Sequence, residues 1–255
     1  KGAEEHAGAV HLYSFHRDTL GVHIRKRADG CPTLAWVSDL KFSPDGRLLG
    51  VASHDKRLYA YEVPRPGAPS AGGGGAEDSD WEAWGGCLSK PRFAFNKHSS
   101  AVLHLDFSQD GLYFQSNCQA SELLFGSQTT GRQETSASKL ADYNGLLDDE
   151  YEGRLWASQT CKLGWAVQGI WPPGSDTSDI NAVDRHTDGR LLATADDLGL
   201  VKLFRFPCVS EGAGCNSFTG HSSHVTCCRW TCSGAQLLSV GGNDRCVFVW
   251  RLREL

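Results

Sequence analysis

The chain contains no methionine among its 255 residues, and it opens on Lys1. Together these make a fragment the expected reading, the C-terminal part of a longer protein. No apolar run approaches the roughly 18 residues that cross a bilayer, so no membrane partner is assigned. The polar start, Lys1 to Gly8, lacks the apolar centre of a signal peptide. Basic charge is not in excess: 25 Lys and Arg face 30 Asp and Glu, for a net charge of −5. A nucleic-acid surface needs clustered cations, so no nucleic acid is expected. Ten cysteines are present, but none form a Cys-x-x-Cys pair and no Cys/His set has zinc-finger spacing. Reduced, buried thiols are expected and no metal is assigned. Nucleophile-elbow, phosphate-loop, zinc-protease and dinucleotide signatures are also missing, and the run Gly72 to Gly75 lacks the following Lys-Ser/Thr. The expectation is a protein without catalysis and without a cofactor. Sustained helical periodicity is absent as well, which leaves an all-β class.

What is present is a repeat. Leu40-Lys41-Phe42-Ser43-Pro44-Asp45-Gly46 returns as Leu105-Asp106-Phe107-Ser108-Gln109-Asp110-Gly111. Weaker copies are Val183-Asp184-Arg185-His186-Thr187-Asp188-Gly189 and Cys228-Arg229-Trp230-Thr231-Cys232-Ser233-Gly234. The last two glycines stand at the roughly 40–45-residue period of a four-stranded propeller blade. The wider intervals hold insertions. Residues 64–80 are Gly/Pro-rich and read as a flexible loop, because such chain buries little. Residues 128–178 carry extra sequence. Alternating strands follow each anchor, bounded by Gly, Asn and Asp.

The final repeat carries the clearest polar pattern. Gly220-His221 opens it, Val225 starts the inner strand, and Asp244 stands shortly before Trp250. This resembles a WD repeat, whose His, Asp and aromatic side chains hydrogen-bond across one blade. His221, Asp244, Trp250 and, in the first repeat, Asp55 before Tyr61 are read as that structural network. The second repeat reads as degenerate: His98 is present, but Ala120 and Gly126 stand at the Asp and aromatic positions. The expected fold is a WD-repeat β-propeller with about four visible four-stranded blades plus part of a preceding one. Its expected divisions are 1–24 (end of a preceding blade), 25–63 (a blade), 64–80 (the loop), 81–127 (the degenerate blade), 128–207 (an atypical blade region) and 208–255 (a blade).

The stretch 156–183 is more specific. Its blocks Thr160-Cys161, Leu163-Gly164, Gly169-Ile170-Trp171-Pro172, Gly174-Ser175-Asp176 and Asp179-Ile180-Asn181-Ala182 resemble the second propeller of the echinoderm microtubule-associated protein-like family. So do Ser53-His54-Asp55 and His98-Ser99-Ser100. The resemblance implies a tandem-propeller protein and a non-enzymatic scaffold whose partners are tubulin, microtubules or microtubule-associated proteins. The remaining blades of its own chain are a further partner, and the cytoplasmic cytoskeleton, with the cilium or axoneme, is the implied location. The alternative is a propeller adaptor in a ciliary or regulatory complex without direct tubulin contact. Propellers bind through rim loops. Candidate contact residues are therefore Lys97, His98, Ser99, Ser100, Ser175, Asp176, Asp179, Ser222, Ser223 and His224, in loops before the inner strands. Trp156, Trp165 and Trp171 read as core between blades, with an exposed aromatic patch as the alternative.

Overall fold

The computed structural model describes residues 8–18, 21–30, 35–64, 87–140, 143, 156–175 and 179–253, with the backbone alone described within 14–30. The expected flexible loop, beyond Pro64, and Asp176 lie outside the described residues.

The repeated anchor builds the same turn each time. In the first copy Ser43 Oγ donates to Asp45 Oδ1 at 2.6 Å, and Gly46 N donates to Ser43 O at 2.8 Å. In the second, Ser108 Oγ meets Asp110 Oδ1 at the same 2.6 Å. The turn ends in a left-handed residue, with φ of 69° at Gly46 and 71° at Gly234. A side chain is disfavoured there, which explains the glycine. Each turn joins the first two strands of one antiparallel sheet.

Strands β1 (Val10–Asp18) and β2 (Gly21–Gly30) form a separate hairpin. The first sheet runs β3 (Val37–Phe42), β4 (Leu48–Ser53), β5 (Leu58–Glu62) and β6 (Phe93–Phe95). The second holds β7 (Val102–Phe107), β8 (Tyr113–Cys118), β9 (Leu123–Ser127) and β10 (Gln133–Glu134). A short helix α1 (Ala137–Leu140) and a 3₁₀ helix (Trp165–Ile170) precede the third sheet. That sheet holds β11 (Ile180–Arg185), β12 (Leu191–Asp196), β13 (Val201–Arg205) and β14 (Cys215–Phe218). The fourth has β15 (Val225–Trp230), β16 (Gln236–Gly241) and β17 (Val247–Arg251). No described helix is long and apolar enough to cross a membrane.

The molecule is an all-β propeller of four blades. Three sheets are four-stranded; the fourth has three described strands rather than the expected four. In the first and third sheets the outer strand lies beyond the bounds that the sequence division sets. Phe93–Phe95 pairs with β5 across the long insertion and so belongs to the first sheet, although the sequence division placed it at 81–127. Cys215–Phe218 likewise pairs with β13 of the third sheet, not with 208–255. Residues 21–24, within the expected division 1–24, pair back onto β1, with Arg17 opposite Val22 and Phe15 opposite Ile24.

The core lies between blades. Leu48, Ala52, Leu58 and Phe95 of the first sheet meet Val102, Leu105, Phe107 and Phe114 of the second. Ala182, Ala193, Ala195 and Val201 of the third meet Val225, Cys228 and Leu237 of the fourth. Each large apolar side chain removed from water contributes roughly 1.5–3 kcal/mol, so blade stacking is the main stabilising term. Val10 and Leu12 of the hairpin cover the remaining face of the first sheet at Leu49, Val51, Tyr59 and Tyr61. Among the described residues nothing covers the outer face of the fourth sheet in this way: Val247 and Val249 are 64% and 58% exposed.

Candidate functional site

The inner strands meet at a charged centre. Asp39 Oδ2 of β3 accepts from Leu105 N of β7 at 3.1 Å, and Lys41 Nζ lies 2.9 Å from Asp39 Oδ1. Asp184 Oδ2 of β11 accepts from Trp230 N of β15 at 2.7 Å. Arg229 of β15 reaches back to Asp39 at 4.0 Å, which links the last blade to the first. Burial lowers His104 to about 4 and raises Asp184 to about 6. Shifted groups in a cleft can mark catalysis. Here they are explained by burial between strands, and no nucleophile–base pair converges on them among the described residues.

Asp106 is the strongest polar anchor. It accepts from Ser158 Oγ, from Thr160 N and Oγ1, from Cys161 N and from Gln115 Nε2, all at 2.5–3.1 Å. Burial opposes its charge, but Lys41 and these donors outweigh burial and hold the carboxyl below its ordinary range. The distinctive block after residue 156 is therefore pinned to the second sheet. Trp156 and Trp171 of that block are buried, and Trp171 Nε1 donates to Lys162 O at 3.1 Å. Trp165 is instead 38% exposed, so the three tryptophans divide between core and surface.

The final repeat carries a polar relay. Trp250 Nε1 donates to Ser239 Oγ at 2.8 Å, Ser239 Oγ meets His221 Nε2 at 2.8 Å, and His221 Nδ1 meets Asp244 Oδ2 at 2.8 Å. Partner chemistry orders the protons. Because the ionised carboxylate can only accept, Nδ1–H of His221 donates to Asp244, and in the neutral ring Nε2 then accepts from the Ser239 hydroxyl, which itself accepts from the indole. Backbone N–H of Cys246, then His221, hold Asp244 below its ordinary range. Trp250 also nears Phe218 of the third sheet, with ring centroids 6.0 Å apart. In the first repeat Asp55 Oδ2 accepts from Tyr59 OH at 2.6 Å.

The second repeat also holds a relay, built differently. His98 Nε2 lies 2.8 Å from Ser116 Oγ, and its Nδ1 faces Glu122 at 3.5 Å. Glu122 Oε2 accepts from Ser99 N at 2.9 Å, as Asp244 accepts from Ser222 N at 3.2 Å. The carboxylate of this repeat is thus Glu122, and Ala120 does not stand in its place. Ser99 N–H, foremost, holds Glu122 down to about 2. Gly126 does occupy the aromatic position, opposite Phe114 as Trp250 is opposite Leu237. The Phe114 ring fills the space: a Cβ on Gly126 would lie 2.3 Å from it. Sequence reading missed Glu122 because it comes two residues after Ala120, the position the repeat pattern indicates, and is one methylene longer than aspartate.

The described candidate contact residues, Asp176 not among them, collect at one end of the blades, where first strands begin and second strands end. Lys97, Ser99 and Ser222 are exposed, whereas His98 and His221 are buried in the relays. Ser100, Ser223 and His224 are half-buried, and Ser223 Oγ meets His224 Nδ1 at 3.0 Å. Ser175 N donates to Pro172 O at 3.1 Å, and the exposed Asp179 accepts from Asp197 N through its carbonyl at 2.9 Å. The same rim carries residues the loop reading did not select. Trp36, 57% exposed, packs against the exposed His54 with rings 5.7 Å apart, and Leu198 is 79% exposed. Of the cysteines expected as buried thiols, Cys118, Cys161, Cys208 and Cys228 are buried and free. Cys215, Cys232 and Cys246 are free but exposed.

The family model for the echinoderm microtubule-associated protein second β-propeller matches residues 7–252. The chain belongs to that family. It is 38% identical over 236 residues to echinoderm microtubule-associated protein-like 2 of Rattus norvegicus, covering 92% of this chain and 31% of that protein. Against echinoderm microtubule-associated protein-like 3 of Mus musculus it is 36% identical, covering 85% of this chain and 21% of that protein. The 77 kDa echinoderm microtubule-associated protein of Lytechinus variegatus is 37% identical, with 83% of this chain and 27% of that protein covered. The chain thus spans less than a third of the length of these relatives. In this second propeller of the echinoderm microtubule-associated protein family, His221, Ser239, Asp244 and Trp250 are engaged with one another within the final blade.

Proposed function

We propose that this propeller is a non-enzymatic protein-binding platform of a microtubule-associated protein, acting at the cytoplasmic cytoskeleton, including that of cilia. The observation that carries this reading is the rim. Trp36 with His54, and Leu198, stand exposed among the polar loop residues Lys97, Ser99 and Ser222. Aromatic and apolar anchors ringed by polar groups are what protein interfaces use. The relatives' names supply the partner class, microtubules. A net charge of −5 argues for docking by shape and apolar anchors rather than by basic charge. The bare apolar face of the fourth sheet, around Val247 and Val249, supports packing of further blades of the full-length protein there.

The test is co-sedimentation of the chain with polymerised microtubules and with free tubulin at low and high salt. Binding that weakens only modestly with salt, and about tenfold or more in Trp36→Ala or Leu198→Ser, is the expected result. Absence of binding to either form would favour an adaptor that reaches microtubules through other proteins.

A further inference from the structure

We propose that His98, Cys118 and Glu122 form a zinc-binding site on the outer turn of the second blade. His98 Nδ1, Cys118 Sγ and a carboxylate oxygen of Glu122 lie within 4.8 Å of one another. Glu122 Oε2 is 3.1 Å from Cys118 Sγ and 3.5 Å from His98 Nδ1. Zinc bonds of about 2.0–2.3 Å at tetrahedral angles set ligand atoms roughly 3.3–3.7 Å apart. The three atoms therefore need to move by only a few tenths of an ångström, apart from the thiol-to-imidazole edge, to close around an ion. The backbone imposes this proximity. Cys118 ends β8, Ser121 turns the chain at φ 57°, and Cys118 N donates to Glu122 O at 3.1 Å.

A second observation points to a ligand. His98 Nδ1 is fully buried and has no hydrogen-bond partner, which is uncommon for a buried polar atom. Its counterpart, His221 Nδ1, donates to Asp244. The two repeats differ in three coordinated ways. The residue two beyond the relay serine is Cys118 in one and Gly241 in the other, where a Cβ would lie 1.9 Å from Asp244 Oδ1. The acid is Glu122 instead of Asp244, and the aromatic donor Trp250 is replaced by Gly126. Ser116 Oγ, 2.8 Å from His98 Nε2, has a lone pair that can accept Nε2–H. The lone pair of Nδ1 is then turned toward Cys118 and Glu122, as an outer partner does for a metal-bound histidine.

The donor set selects the ion. One thiolate and one imidazole favour zinc over magnesium or calcium, which prefer oxygen. The thiolate and carboxylate charges balance a divalent cation. Binding replaces the S–H bond of Cys118 with an S–Zn bond and releases that proton to water. His98 and Cys118 are buried, whereas the Glu122 side chain is 34% exposed, which leaves a solvent side for entry and for a fourth, water ligand.

The experiment is titration of the chain with Zn²⁺ against a chromophoric chelator, and with Co²⁺ followed by absorption. One equivalent of tight binding is expected, with the intense visible bands of tetrahedral cobalt and a thiolate charge-transfer band in the near ultraviolet. Cys118→Ser should abolish the charge-transfer band and weaken Zn²⁺ at least 100-fold. Glu122→Gln should weaken it as well, and Ser116→Ala about 10-fold. Cys246→Ser, at an exposed thiol, should change neither readout. Circular dichroism of each variant establishes that it is folded. If Cys118→Ser does not fold, the wild-type cobalt spectrum and Glu122→Gln decide. Octahedral cobalt, binding no tighter than micromolar, or zinc affinity that survives Glu122→Gln while falling in Cys246→Ser would overturn the proposal.

Discussion

The second and fourth blades solve one problem with different chemistry. Each must hold its outer turn onto its sheet. The fourth does so with a chain of hydrogen bonds from Trp250 through Ser239 and His221 to Asp244. The second replaces the indole by Gly126 and lets Phe114 fill the space, stacked on Phe93 with centroids 5.8 Å apart and edge-on to Phe95 at 5.2 Å. It adds Asp106, which ties in a remote segment. The comparison teaches that loss of a repeat's signature residues is not loss of order. Aromatic packing and a buried carboxylate take over the task, and the histidine's second nitrogen is released.

The largest effect should come from Asp106, which the second blade carries where the fourth has Arg229. Asp106→Ala strands buried donors of Ser158, Thr160 and Cys161, and each unsatisfied buried group costs about 1–3 kcal/mol. The loss of unfolding free energy should exceed about 3 kcal/mol, measured by urea denaturation. A loss near 1 kcal/mol would show that the segment after residue 156 is not anchored through this side chain.

Next comes an attempt to restore the repeat. Gly126→Trp returns the aromatic that the WD pattern asks for, yet it drives side-chain atoms into the Phe114 ring, since even a Cβ would lie 2.3 Å away. Overpacking of this kind costs about 1–3 kcal/mol. Thermal melting should therefore fall; a rise would mean that the sheet readily exchanges aromatic packing for the polar relay.

These two positions also mark how much was legible in the sequence. The anchor turns were legible because their chemistry is local: Ser43, Asp45 and Gly46 contact one another across a few residues. The His221 to Trp250 pattern was legible for the same reason, with constant spacing inside one blade. Outer strands were not. Phe93–Phe95 is three residues long and pairs across an insertion, so neither length nor alternation marks it. Glu122 escaped because a side chain one methylene longer reaches the histidine from two positions beyond Ala120. Trp36 and Leu198 escaped because exposure of an apolar residue depends on what packs over it, and periodicity carries no such information.

A smaller effect separates the two relay serines. Ser239→Ala removes partners from both His221 Nε2 and Trp250 Nε1, and should cost about 1–3 kcal/mol. Ser116→Ala removes one partner, His98 Nε2, and should cost about half as much in metal-free protein. Equal losses in parallel melts would indicate that the indole contact contributes little.

The smallest expected effect lies in the acid limb of stability, and it distinguishes the two carboxylates. Glu122 falls from 4.5 to about 2 on folding, chiefly through the backbone N–H of Ser99. An acid whose folded pKa is depressed stabilises the native state above its unfolded pKa. That contribution fades as pH falls through the folded value. The Glu122 contribution is therefore complete above pH 4.5 and lost toward pH 2. Asp244 acts in the same direction, through Cys246 N–H first and His221 second. Glu122→Gln should flatten the pH dependence of the melting temperature in that window while leaving the Asp244 part intact. The double variant Glu122→Gln with Asp244→Asn should flatten it further. The Glu122 side chain is 34% exposed, so screening limits its effect, and added salt should shrink the difference between the curves. A Glu122→Gln curve that parallels the parent below pH 4.5 would show that the second blade's carboxylate is not held in its ionised form by Ser99, and would leave Asp244 as the acid-sensitive turn.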